Sequence, residues 1–361
     1  MKKSSKILSF LLILCLNQGL VTGAIQPVER SVGRLRISID PRMELLSTVQ
    51  LLSSYFAINR DVFYSKEIVN YFEPFSSQEA VAMTDSLQKY GFVFDAPVSY
   101  MMYLSQLPEL KTQSTFSDLL LQRSGGRDNL EQYRKSIKQF AEIPDFETFW
   151  NSKLSFYNQI LDMTVSNMTE IDLVKSLEDY FNETKESYNV VVTPAFMGGY
   201  GFEVPGADGK NNIYACISTA STKDSIPYLN ANHLMSFVWH EFAHPFVNPL
   251  ADKYADRVST LEKLYEPIQD AMSNQAYTLW KICVNEHIVR AVGVRLRELY
   301  FDSQRAKRLI DYELSYGFIY IEPLIEKLKE FENKRDRDNI TFSEFYPELL
   351  DVLDSLQKNE N

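Results

Sequence analysis

Two of the four histidines in this 361-residue chain stand four apart inside an apolar run, and that spacing constrains the fold more than any other feature. The stretch from Asn232 to Asn248 centres on Trp239-His240-Glu241-Phe242-Ala243-His244. On a helix His240 and His244 share one face, while Glu241 sits about 100° round from His240. Leu234, Met235, Phe237, Val238 and Trp239 precede the motif, and Phe242 and Ala243 fill its inner positions. A helix this apolar must be buried, and burying two imidazoles and a carboxylate costs desolvation unless they are paired or metal-bound. Two neutral imidazoles supply two of the three protein ligands of a catalytic zinc, and the adjacent carboxylate can take a proton from bound water. Pro245 directly after the second histidine should end or kink the helix, leaving His244 in its last turn. Asn230 or Asn232 would cap its start.

The third ligand is expected among three downstream carboxylates. Leu261, Leu264, Tyr265, Ile268 and Met272 form an apolar helical stripe, and Glu262 and Glu266 lie on its polar flank with Lys263 and Asp270. Around Glu286 the pattern reverses. Leu279, Ile282, Cys283, Val289, Gly293 and Leu296 make the stripe, and Glu286 stands within it where an apolar side chain belongs. A carboxylate aimed into a core requires a cation, either a metal ion or Arg290 at the i+4 position.

His240-Glu241-Phe242-Ala243-His244 followed by Asn285-Glu286-His287-Ile288-Val289-Arg290-Ala291 resembles the gluzincin metallopeptidases, and more closely a family of exported bacterial proteins of unknown function grouped with peptidases of that type. The match is densest from Phe237 to Arg297. The resemblance implies a zincin-like fold, Zn2+ held by His240, His244 and Glu286, Glu241 as general base, and a peptide or protein substrate. Arg290 stands where some gluzincins place an aspartate that orients the first histidine. Asn248, Asp252 and Asp256 are the alternatives for such a supporting role.

The remaining chain reads as α+β and mostly helical. Residues 1–24 form a signal peptide, with Lys2, Lys3 and Lys6 before an apolar Ile7–Leu16 that includes Cys15, and a small-residue Thr22-Gly23-Ala24 end. The protein is therefore expected to be exported, whether periplasmic, in the cell envelope or secreted, with no transmembrane anchor after cleavage. The mature chain carries 34 basic and 48 acidic residues, which argues against nucleic acid and anionic membrane as partners. Cys216 and Cys283 remain, as a disulfide or as two buried thiols.

Arg34–Asp40 alternates like a strand that Pro41 ends, and helical periods follow from Glu44 to Phe181. This gives an N-terminal, mainly helical part over 25–187. The part over 188–361 opens with three short strands, 189–193, 201–204 and 212–218, forming a small antiparallel sheet beside the histidine helix. Gly198, Gly199 and Gly201 permit the turn between the first two. A free edge of that sheet could take an extended peptide, or be an ordinary protected edge. Recurrent Tyr and Phe at helical spacing read as core rather than as sugar platforms. After the Glu286 helix, Tyr316–Tyr320 interrupts the pattern, and Tyr316 is the candidate oxyanion donor. His233 would line a cleft, and His287 would support the ligands. Glu332–Asp338 reads as a charged linker before a terminal helix over 342–356. The resulting expectation is zinc-dependent peptide hydrolysis; the alternatives are an inactive, peptidase-like binding protein and an aromatic-rich glycan-binding envelope protein.

Overall fold

The computed structural model describes residues 23–359 apart from 144, 169, 207–210 and 220–227. The expected signal peptide therefore lies almost wholly outside the described residues. Among those described, no helix is long and apolar enough to cross a membrane.

Five strands form one sheet in a mainly helical chain. They are β1 (Val28–Val32), β2 (Leu35–Ile39), β3 (Ser187–Thr193), β4 (Gly199–Pro205) and β5 (Asn211–Ser218), in the spatial order β1-β2-β3-β5-β4. The sheet is mixed rather than antiparallel as the sequence suggested. β2 and β3 run parallel, as do β3 and β5, while β1 and β4 are antiparallel edges. Parallel pairing of β2 with β3 requires a long crossover, and helices between residues 41 and 181 provide it. The sheet thus draws strands from both sides of residue 187.

Local chemistry accounts for the first turn out of the sheet. The Asp40 side chain accepts from the Arg42 amide at 2.9 Å and pairs with the Arg42 guanidinium at 2.7 Å, so it caps Pro41–Leu52 while Pro41 occupies a position that needs no N–H. That helix is buried over Pro41–Leu51 and forms the middle of the N-terminal helices. Cys216 and Cys283 are both buried free thiols.

Two helices carry the motif residues. Ala231–Glu241 is capped by Asn230, whose side-chain oxygen accepts from the His233 amide at 2.9 Å. It packs against β4, β5 and the long helix Trp280–Tyr300. Trp239 pins it to the helix Leu173–Phe181 by donating from Nε1 to Ser176 Oγ at 2.8 Å.

Candidate metal centre

The helix breaks before His244, not after it. Ala231–Glu241 ends at Phe242, and a second helix, His244–Lys253, starts at the histidine with Pro245 in its first turn. Proline is free of cost there because the first amides of a helix have no partner within it. Despite the break, the two Nε2 atoms face each other at 3.3 Å, with ring planes at 87°. Glu286, buried in Trp280–Tyr300, completes the group: its Oε2 lies 3.6 Å from His240 Nε2 and its Oε1 3.5 Å from His244 Nε2. Among the described residues, His240, His244 and Glu286 are a cluster whose ligand atoms are close enough to hold one metal ion. Ligand bonds of about 2.0–2.2 Å in a tetrahedron give edges of roughly 3.3–3.6 Å, the separations seen here.

Further observations suit a cation at this point. Glu286 Oε2 is buried and makes no hydrogen bond. Burial, His244 and Arg290 hold the His240 imidazole well below its usual pKa, so it is neutral with a lone pair to offer. His244 Nδ1 is 3.1 Å from Asn248 Oδ1, which orients the ring and directs Nε2 at the cluster. Of the three supporting residues considered from sequence, Asn248 is the one in place. Asp252 instead pairs with Lys281 at 2.6 Å, and Asp256 is exposed.

The ion pair with Arg290 is formed without removing Glu286 from the cluster. Arg290 Nε lies 3.3 Å from Glu286 Oε2, and its Nη1 reaches Glu313 at 2.7 Å. Its guanidinium stacks 4.1 Å from the Phe318 ring centre. Glu286 therefore faces the imidazoles on one side and a guanidinium on the other. Glu262 and Glu266 are exposed, on the short helix Glu262–Ile268.

Glu241 is buried beside this cluster, and burial, reinforced by Glu286, pushes its carboxyl up to about 7; His244, the Gly201 amide and Arg290 pull the other way. Strand β4 lies directly on it. A β-carbon at Gly201 would meet Glu241 Oε2 at 2.5 Å, and one at Gly199 would overlap the Phe237 ring. These two glycines lie within β4 and let it rest on the histidine helix; only Gly198, at φ 77°, serves the turn. Two glycines spaced by two in a strand share a face, a signal of close approach present in the sequence.

A cavity of about 430 Å³ opens beside His240 and Glu241, walled by Trp239, Tyr277, Arg290, Arg297 and Tyr312 among others. Tyr316 is not among its lining residues; it is exposed and its ring packs on Tyr312, 4.7 Å between centres. Tyr277 and Tyr312 are the tyrosines brought to the cavity, and nothing in their sequence context separated them from the other 19. His233 packs behind the lining residue Phe237 without lining the cavity itself, and His287 is buried, with Nδ1 2.7 Å from the Cys283 carbonyl and its ring against Phe318 and Tyr320.

No curated protein and no solved structure matches this chain. One family model does, described as a domain of unknown function, DUF4932, and it covers residues 35–352, which include all five strands but β1 and every residue of the cluster. The chain is therefore a member of the DUF4932 family.

Proposed function

We propose that this protein is a zinc-dependent hydrolase of peptide bonds, in which His240, His244 and Glu286 hold the metal and Glu241 is the general base. The observation that carries the reading is the placement of a buried carboxyl, raised to about 7, next to a three-donor cluster whose His240 lines a cavity. A set of two imidazoles and one carboxylate suits zinc. Bound there, zinc supplies Lewis acidity and an acidified water.

The protein's own side chains supply the proton steps. A buried carboxyl raised toward neutrality can accept a proton from water and return it to a leaving amine, and this is the role given to Glu241. Tyr277 takes the role of oxyanion donor expected of Tyr316. Arg290 Nη2 donates toward the Tyr277 oxygen at 3.3 Å, which leaves the phenolic hydrogen free to point into the cavity. Strand β4 is an edge of the sheet and lies against Glu241, so an extended peptide added along it would pass the base.

The test is Glu241→Gln. Turnover of a peptide library should fall by a factor on the order of 100 or more, with zinc still bound at one equivalent. Loss of zinc in that variant would assign Glu241 to the ligand set. A zinc-loaded wild-type protein that cleaves no member of a broad library would sink the hydrolase reading.

A further inference from the structure

The helix Trp280–Tyr300 presents Val289 and four further residues to the candidate centre and its cavity. Glu286, Arg290, Gly293 and Arg297 are spaced by four, three and four, so they share one face. Arg290 is already engaged by Glu286, Glu313, Tyr277 and the Phe318 ring. Arg297 is not. It is half-buried in the cavity wall, donates to Ser236 Oγ, and among the described residues has no carboxylate at ion-pairing distance. Burial and the neighbouring Arg305 disfavour its charge and outweigh the more distant Glu313 carboxylate, which favours it.

Gly293 lies between the two arginines. A β-carbon there would meet nothing within 4 Å, so packing does not demand glycine. A mid-helix glycine costs about 1 kcal/mol relative to alanine, and at this position its effect is to keep the cavity open from Arg290 to Arg297. Val289, Leu309 and Trp239 supply apolar wall. The depth is set by Ser236, which stands one helical turn, about 6 Å, before His240. The guanidinium is thus roughly one side chain's length from the candidate metal ligands.

We propose that this cavity receives the part of a substrate adjoining the cleaved bond and that Arg297 selects a carboxylate there. The proposal rests on the hydrolase reading and gives it a substrate class: peptides with an acidic side chain at that position, or with a free C-terminal carboxylate reaching the same point. A bidentate guanidinium–carboxylate contact in a partly desolvated wall favours the charged ligand over its neutral isostere. Glu313 also lines the cavity, but its charge is taken by Arg290 at 2.7 Å.

The experiment measures dissociation constants of the full mature protein, zinc-loaded, for acetohydroxamate and for hydroxamates of the form HONH-CO-CH2-CO-Xaa. Four extensions are compared: glutamic acid amide, glutamine amide, leucine amide and leucine free acid. The glutamyl amide should bind roughly tenfold or more tighter than the glutaminyl amide. Arg297→Gln should erase that preference, Arg297→Lys should restore part of it, and Gly293→Leu should weaken all four extended probes without changing acetohydroxamate. A gain confined to leucine free acid over leucine amide, again lost in Arg297→Gln, supports the proposal with the chain terminus as the source of the carboxylate. Equal binding of charged and neutral probes, or a preference that survives Arg297→Gln, overturns it while leaving the hydrolase reading intact. Failure of acetohydroxamate to bind overturns both.

Discussion

Gly201 lies so close to Glu241 that a β-carbon at 201 would sit 2.5 Å from the carboxylate Oε2 and 3.0 Å from the Glu241 carbonyl oxygen. The edge strand and the proposed base are therefore one mechanical unit: whatever moves β4 moves the carboxyl. Gly201→Ala should displace the Glu241 side chain and lower turnover by a factor on the order of 100, since small displacements of a catalytic group cost that much. Metal content should stay at the wild-type level, because none of the three candidate ligand residues is touched. Unchanged turnover in this variant would separate the strand from the chemistry.

Asn248 orients His244 across one helical turn, Oδ1 to Nδ1 at 3.1 Å. Asn248→Ala removes the acceptor that holds the ring with Nε2 toward Glu286. Metal affinity should fall roughly 10- to 100-fold, as it does when such supporting groups are removed. Competition with a chelator of known affinity measures this, and an unchanged affinity would show that packing alone sets the ring.

A second buried carboxyl gives a pH dependence independent of the proposed metal centre. Glu44 is enclosed on the helix Pro41–Leu52, bonded to the Tyr64 hydroxyl, which in turn meets the Tyr157 hydroxyl at 2.6 Å. Burial raises its pKa to about 8. The folded state therefore holds a proton that the unfolded chain releases near 4.5, so stability declines as pH rises through the window from about 4.5 to 8. At 1.36 kcal/mol per unit the full effect is on the order of 5 kcal/mol. Glu44→Gln should flatten this decline between pH 5 and 8 in urea titrations and raise stability at pH 8. A decline of the same slope in the variant would place the titrating group elsewhere.

What the sequence revealed depended on whether the signal was local. The i+4 histidine spacing, and Glu286 as a lone acid in an apolar stripe, are local signals; that His240 and His244 sit on either side of a helix break, and that a third helix brings Glu286 to them, are not. Strand β1 offered no such contrast: Val-Glu-Arg-Ser-Val buries only part of any side chain at an outer edge. The direction of pairing was also out of reach, because β2 meets β3 across nearly 150 residues and only the intervening helices decide that they run parallel. The run Glu332–Asp338 looked like a solvated linker from its charge. It is instead the end of the helix Ile321–Asp338, where Glu332 is buried against Arg295, with both guanidinium contacts at 2.7 Å. A charged stretch conceals a buried member whenever its partner lies on a distant element. Arg290 illustrates the same limit, since i+4 spacing marked it as a partner of Glu286 but not of Glu313 or the Phe318 ring.

The most direct measurement is the metal content of the purified mature protein, by elemental analysis after exhaustive dialysis, for the wild type and for His240→Ala, His244→Ala and Glu286→Ala. One equivalent of zinc in the wild type and a clear loss in each variant is the expected result. A wild-type protein that takes up no stoichiometric metal, or a Glu286→Ala variant that keeps it as tightly, would contradict a shared three-donor centre.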